Sequence, residues 1–366
     1  MTHEAIVSAL AHNVPFQDLP EVAVAPPEPL PEGPLDIKLL LSYGDHTVEV
    51  FAEIKNECTP KLVQEIAPWL AGMRALRKDA SFALICPALS EEAQRVCTEK
   101  GVDFIDLAGN VSINVPGRFL LRRAATRARA PKQASPHRDP FAGKSSRVVR
   151  VLLNSPREWT LSEIVRELAA ESQRNALGVR DFRISLASAS KTVRSLEEDV
   201  LVRRRKSWIL TPDPLRLLLR WVEVYTRRRR SYQRRSFRCP NPFGGRLSLV
   251  SEGLRGLTGD AGFAFTGAAA AATRVPSIEM DVIEVYVEPS GAARLRALDE
   301  QPGIGPELRV LEPYDAGVFM YAVKNDGGPV VSAIQTCLDL FARGGRDSKE
   351  ARLLLAKVVE PGWDRT

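Results

Sequence analysis

The residues whose types and spacing come closest to a reaction are Asp36, Glu53 and Lys55. They lie in two β-rich runs, LDIKLLLSY and HTVEVFAEIK, separated by Gly44-Asp45, a pair whose chemistry suits a tight hairpin turn. With the turn centred there, facing residues have numbers that sum to 89, so Asp36 faces Glu53 across the hairpin. Lys55, two residues beyond Glu53, projects from the same face. Two carboxylates and a lysine converging in this way suit a divalent-metal phosphodiesterase. Asp36 and Glu53 would hold Mg2+ or Mn2+, and Lys55 would orient the attacking water and offset developing negative charge. The register decides the matter: a slip of one residue turns Asp36 to the opposite face. The plain alternative is an exposed strand face with incidental charges.

A second set of residues could read DNA. In SLASASKTVRSLEED, Ser185 can cap a helix whose apolar stripe is Leu186, Ala189, Val193 and Leu196. That stripe leaves Ser188, Lys191, Arg194 and Ser195 outward, where hydroxyls and long cations reach phosphates and base edges in a major groove. The basic turn Arg203, Arg204, Arg205 and Lys206 would lie on the adjacent backbone as a wing. Further on, Arg227, Arg228, Arg229 and Arg230, with Arg234, Arg235 and Arg238, flank Tyr225, Tyr232 and Phe237. A solvated basic helix and a phosphate-tracking arm both account for that run.

A third pattern resembles a nucleotidyltransferase core, whose usual form is Gly-Ser followed by Asp-x-Asp. Here the small-residue turn is Gly267-Ala268, and the strand DVIEVY places Ile283 two residues after Asp281 and Tyr286 two residues after Glu284. Without carboxylates two apart there is no clamp for two metal ions, so the pattern reads as degenerate.

The elements that must position these residues follow from periodicity and caps. A short helix near Glu4 to Ala11 precedes Pro20 to Pro34, whose six prolines favour an extended arm or linker over a packed element. Lys61 to Arg77 has a helical apolar stripe. Phe82 to Cys86 reads as a buried strand, Ser90 to Lys100 as a helix stopped by Gly101, and Val102 to Leu107, Val111 to Val115 and Arg118 to Leu121 as strands. After a basic linker, Ser146 to Leu153 begins a helix, and Thr160-Leu161-Ser162-Glu163 is a capping box that starts another. With the Ser185 helix and a hairpin of Val202 to Arg205 and Trp208 to Leu210, this is the element order of a winged helix-turn-helix. Toward the end, Ser332 to Leu340 and Ser348 to Val359 read as helices joined at Gly344-Gly345.

The expected fold class is therefore α/β and multidomain. An arm covers 1–34, an α/β domain 35–125, a basic linker 126–143, a winged helix-turn-helix with a basic helix 144–238, and an α+β domain 239–366. With 44% hydrophobic and 26% charged residues, the 366-residue chain has the composition of a globular protein. No apolar run reaches the roughly 18 to 20 residues of a membrane span, and no secretory signal opens the sequence, so a cytoplasmic location is expected. The five cysteines are scattered and never spaced CxxC. Charge is unevenly placed: Arg118 to Arg238 holds 30 Lys/Arg and 11 Asp/Glu, a balance of +19, and the remainder holds 21 and 34, a balance of -13. A basic middle between acidic ends points to a polyanion as its partner.

Two family resemblances build on these residues. The Asp36, Glu53, Lys55 pattern, followed by a helix and a strand, resembles the PD-(D/E)xK restriction-endonuclease-like fold. The run SAIQTCLDLFARGGRDSKEARLLL, with FAFTGAAAAA upstream and the winged-helix segment before both, resembles the AbiEi-type antitoxin and transcriptional-regulator family of type IV toxin-antitoxin systems. EIKNECTP and FIDLAGNVSI are similar to a nuclease-like N-terminal extension of a longer branch of that family. The resemblance implies promoter binding to double-stranded DNA through the winged helix, repression of its own operon and opposition to a nucleotidyltransferase toxin. Here the winged helix is central in the chain. The first reading is a sequence-specific DNA-binding regulator that needs no cofactor, with a homodimer left open. The alternative is a nuclease using Mg2+ or Mn2+, targeted by its winged helix.

Overall fold

The computed structural model describes residues 1–30, 33–124, 139–232 and 235–364. The chain divides into two compact units, Met1–Pro136 with Glu197–Val200, and His137–Leu196 with Leu201–Thr366. Most of the expected basic linker, 126–138, lies outside the described residues, as does Arg234.

The first unit begins with helix α1 (His3–Ala11), followed by strands β1 (Val22–Val24), β2 (Glu28–Pro29), β3 (Ile37–Tyr43) and β4 (His46–Ile54). Helix α2 (Pro60–Leu76), β5 (Ser81–Cys86), α3 (Glu91–Lys100), β6 (Asp103–Asp106), β7 (Val111–Val115) and β8 (Phe119–Arg123) complete it. The sheet order is β1-β3-β4-β5-β6-β7-β8, with β2 also paired to β3, and β4, β5 and β6 run parallel. Strand alternation gives the sheet an apolar surface on each side. Ile37, Leu39, Val48, Val50 and Ala52 pack on one side with Ile6 and Leu10 of α1. Phe51, Phe82 and Leu84 pack on the other with Val63 and Leu70 of α2 and Val96 of α3. The ends of the helices are those the sequence announces. Thr59 Oγ1 accepts from Leu62 N, Ser90 Oγ accepts from Ala93 N, and Gly101, at φ +65°, ends α3 in the left-handed conformation.

The expected arm at 1–34 is instead part of this unit. Val22, Ala23 and Val24 pair with Tyr43, Ser42 and Leu41, and Glu28-Pro29 pairs with Lys38 and Ile37. Composition misleads here because proline is compatible with a sheet edge, where its missing N–H faces away from the ladder, while Val22 fills the core.

The second unit opens with α4 (Ser146–Asn154), β9 (Trp159–Thr160), α5 (Leu161–Arg174), α6 (Leu186–Glu198), β10 (Arg203–Arg205) and β11 (Trp208–Leu210). The capping box at α5 is complete: Glu163 N donates to Thr160 Oγ1 at 3.2 Å, and Thr160 N donates to Glu163 Oε2 at 2.7 Å. The three short strands form an antiparallel sheet ordered β10-β11-β9. Helix α7 (Pro214–Tyr232) leads to β12 (Phe237–Cys239), α8 (Leu247–Thr258), β13 (Phe263–Thr266), α9 (Gly267–Ala272), β14 (Val282–Val287), α10 (Pro289–Leu295), β15 (Glu307–Leu311), β16 (Val323–Asn325) and β17 (Gly328–Val330). These strands form a mixed sheet ordered β12-β15-β14-β13-β17-β16, followed by α11 (Ala333–Arg343) and α12 (Gly345–Leu354).

The expected boundary near residue 238 does not divide this unit. One core runs from Leu152, Leu168 and Leu196 through Trp221 and Tyr225 of α7 to Tyr286 of β14 and Leu338 of α11. The basic segment and the six-stranded sheet thus share their interior. Phe141, on the edge of the expected linker, is buried in the same core and stacks on Trp221 with ring centroids 6.3 Å apart. Among the described residues, no helix is long and apolar enough to cross a membrane.

Candidate functional site

The β3–β4 hairpin has the register its turn predicts: Ile37 faces Ala52 and Tyr43 faces His46, and Gly44 supplies the turn at φ +56°. Asp36 lies one step beyond the last strand pair, where its amide donates to Ala52 O at 2.9 Å, so it stands opposite Glu53. Its Oδ2 accepts from the amide of Ile54 at 2.6 Å, closing the open end of the hairpin. Lys55 Nζ lies 2.6 Å from Glu53 Oε1. The bond to Glu53 holds the Lys55 ammonium above its usual value, against partial desolvation, and the charges of Glu53 and Asp36 add to the effect. The register thus brings Asp36 and Glu53 opposite each other at the end of β4, with Lys55 paired to Glu53. A divalent cation would meet Asp36 Oδ1 and Glu53 Oε2, the oxygens not spent on Ile54 and Lys55. Among the described residues no group of three or more His, Cys, Asp or Glu is placed to hold a metal, so any cation here rests on two carboxylates with water or main-chain oxygen completing its shell.

Parallel β4, β5 and β6 bring further groups to the same edge of the sheet. Asp106, in the run FIDLAGN, is fully buried and accepts from Leu89 N at 2.9 Å and from Asn110 N and Nδ2 at 2.8 Å each. Burial pushes its carboxyl above the usual range. Its oxygens tie two loops together and are not offered to a metal. The Asp-x-x-x-Asn spacing of a side-chain-closed turn is the signal that identifies this role.

In the second unit, Ser185 Oγ accepts from Ser188 N at 3.1 Å and caps α6 as expected. Lys191 and Arg194 are exposed and Ser188 is half-buried. Ser195 corrects the outward set: it is 7% exposed, alongside buried Thr192, Val193 and Leu196. The buried residues Ala189, Thr192, Val193, Ser195 and Leu196 form one continuous arc, wider than the single stripe expected. Leu186, expected in that stripe, is 50% exposed on the first turn. The basic turn is a hairpin, with Arg203 opposite Leu210, Arg204 opposite Ile209 and Arg205 opposite Trp208, and Lys206 at φ +57°. Facing residues in an antiparallel pair share a side of the ribbon. Arg204 therefore shares the side of buried Ile209, while Arg203 and Arg205 share the outer side with exposed Trp208 and Leu210. Among the described residues, Lys191, Arg203, Arg205 and Lys206 have no carboxylate partner.

The Arg227–Arg230 run divides. Arg228 is ion-paired with Asp139, and Arg229 Nη1 donates to Ala342 O at 3.2 Å. Those two side chains hold α7 within its own unit, while Arg227 and Arg230 are exposed. Arg235 and Arg238 pair with Glu312 and Glu307. Sequence reasoning missed Lys144 and Arg183, which line a cavity of about 420 Å3 beside the start of α6. The high density of basic residues there was the available signal, but two loops distant in sequence had to meet.

At Gly267-Ala268 the chain turns from β13 into α9. Gly267 has φ +57°, and an added Cβ would lie 2.2 Å from Glu284 Oε2. Glu284 is buried, 2.9 Å from Arg343 and 3.4 Å from Arg309. Burial raises its carboxyl, and burial together with neighbouring arginines lowers the Arg309 guanidinium. Asp281 is 80% exposed and pairs with Arg346. The two acids are thus held apart, one locked under the glycine turn and one at the surface. The protein is expected to transfer no nucleotide: incubation with Mg2+, labelled nucleoside triphosphates and RNA or protein acceptors should leave no adduct. Incorporation lost on Asp281→Ala or Glu284→Ala would overturn that expectation.

No protein-family model matches this chain, and no curated protein matches it. Among solved structures, the chain is similar to EndoMS in its apo form, at 18% identity and a TM-score of 0.22. The likeness covers 29% of this chain and 46% of that one, so the chain spans about half the length of the structure it matches.

Proposed function

We propose that this chain is a sequence-specific DNA-binding transcriptional regulator, antitoxin-like, whose reader is a winged helix-turn-helix over residues 146–210. The observation that carries the reading is the pairing of a capped, cation-bearing α6 with a hairpin whose outer side presents Arg203, Arg205 and Lys206 without carboxylate partners among the described residues. In that arrangement α6 enters the major groove and the β10–β11 wing lies on the flanking phosphates. Double-stranded DNA is the partner, and a nucleotidyltransferase toxin in the cytoplasm is the antagonist that the family resemblance suggests. In this reading the six-stranded part of the second unit is a degenerate nucleotidyltransferase-like α+β domain that serves assembly. Selection from a random duplex pool with the full chain tests the proposal. Enrichment of one site, bound more tightly as salt falls, is expected; binding that discriminates no sequence would remove the regulator.

The hairpin cluster favours a second reading, a restriction-endonuclease-like first unit that cleaves the DNA brought to it. Asp36 and Glu53 would hold Mg2+ or Mn2+, which supplies Lewis-acid stabilisation of the phosphoryl oxygens when bound. Lys55, already charged and 2.6 Å from Glu53, would orient the attacking water. The test is incubation of supercoiled and linear DNA carrying the selected site with Mn2+, beside Glu53→Ala and Lys55→Ala. Under the regulator reading no cleavage is expected. Cleavage by the parent that both substitutions abolish, with DNA binding retained, would replace regulator by enzyme.

A further inference from the structure

We propose that the cavity between the Gly143–Ser145 turn and the start of α6 binds one phosphoryl group, supplied by the DNA backbone. The assignment rests on the DNA-binding reading above and extends it to residues outside the reader helix and its wing. The cavity holds about 420 Å3 and is lined by Lys144, Ser145, Arg183, Ile184, Ser185, Ser188 and Thr192, with no carboxylate. A water takes roughly 30 Å3 of liquid, so this space admits a phosphate with part of its sugar.

Three observations point to an anion. Lys144 and Arg183 are exposed, and among the described residues neither has an ion-pair partner. Two uncompensated cations beside one cavity repel each other and are relieved by a shared anion. Ser145 is only 7% exposed, lines the cavity, and its hydroxyl has no hydrogen-bond partner among the described residues. A hydroxyl that lines the cavity and is not spent on the protein can donate to a phosphoryl oxygen there. Finally, the amides of Leu186 and Ala187 precede the first helical hydrogen bonds of the 13-residue α6, so the positive end of that helix also borders the cavity. Ile184 supplies an apolar wall for a sugar.

The backbone of a duplex is favoured as the source because Ser188 belongs both to the cavity and to α6, one turn before exposed Lys191. A strand whose phosphate sits here would run along the helix that reads its bases. The anchor would set how far α6 reaches into the groove and would contribute equally at every sequence.

The full chain is tested as the double variant Lys144→Ala/Arg183→Ala, the charge-preserving Lys144→Arg/Arg183→Lys, and Ser145→Ala. Each is compared with the parent for duplex affinity over a salt series, with thermal unfolding as the check on folding. The double alanine variant is expected to bind the selected and unrelated duplexes about tenfold more weakly and to reduce the log-affinity against log-salt slope by about 0.9, the value for one phosphate. The charge-preserving variant should keep the slope, and Ser145→Ala should weaken binding severalfold without changing it. A folded double alanine variant with the parent's slope overturns the phosphoryl site and leaves the DNA-binding reading standing. In a parallel arm, inorganic phosphate is titrated into the free protein and followed by calorimetry. A parent that binds no duplex but holds phosphate through Lys144 and Arg183 supports the site and overturns its DNA source.

Discussion

Replacing Arg203, Arg205 and Lys206 together by alanine is expected to weaken binding to all duplexes alike, on the order of a hundredfold at low salt. It should also flatten the salt dependence by about 0.9 in log-log slope for each phosphate that is no longer neutralised. The expectation follows from geometry: Arg203 and Arg205 lie on the outer side of the β10–β11 ribbon, and the left-handed residue Lys206 stands at its tip. Arg204 stays in place in this variant because it shares a side with buried Ile209. Lys191→Ala and Arg194→Ala on α6 should behave differently. A side chain that reads a base edge costs about 1 to 3 kcal/mol at its own base pair and little elsewhere, so discrimination at that base pair relaxes while the slope changes by about one phosphate's worth or less. Fluorescence anisotropy with the selected site and single-base variants separates the two patterns. If removing the three hairpin cations altered preference and left the salt slope unchanged, the hairpin would not lie on the DNA backbone.

Asp339→Ala is expected to destabilise the second unit by about 3 to 5 kcal/mol, by breaking a buried hydrogen-bond network. The carboxylate is buried and accepts from Tyr225 OH at 2.5 Å, Thr266 Oγ1 at 2.6 Å, and Tyr286 OH and Gln335 Nε2 at 3.0 Å. Removing it strands four buried donors at about 1 to 3 kcal/mol each. The sum is an upper limit, because Tyr225 and Tyr286 hydroxyls already lie 3.1 Å apart and can pair, and because a buried charge is removed at the same time. Burial and the Asp339 charge hold both phenols well above their usual range, so they remain donors through neutral pH. Urea unfolding followed by tryptophan fluorescence is a direct measurement, since Trp159, Trp208, Trp221 and Trp363 belong to this unit and only Trp69 to the other. A shift below about 1 kcal/mol would mean that the network does not depend on its carboxylate.

Features governed by neighbours in sequence were legible from the start. Turn chemistry at Gly44-Asp45 fixed the parity that puts Asp36 opposite Glu53, and Thr160, Glu163, Ser185 and Ser90 announced their helices because a cap needs only residues within reach of one turn. What required distant partners was not legible. The Pro20 to Pro34 stretch gains its partner only when β3 exists, and Ser195 is covered because the buried arc of α6 is wider than its apolar stripe. The lock on Glu284 needs Arg309, 25 residues away, and Arg343, 59 away, to converge under Gly267. Periodicity likewise gave α7 a basic surface but not the interactions that commit Arg228 and Arg229 to their own unit.

The core shared by α4, α6, α7 and α11 bears on how the proposed DNA reader could be inherited. Splitting the chain after α7 would part Tyr225 from Asp339 and uncover the faces of Trp221 and Leu338 that now pack in one interior. An isolated 144–238 piece would present that surface to solvent and to other copies of itself. Recombination within the segment joining α7 to β12 would therefore yield two sticky halves instead of a transplantable DNA reader. Under the proposed function, lineages changing DNA specificity are left with substitutions on the outer side of α6 and the β10–β11 hairpin, or with exchange of the second unit entire.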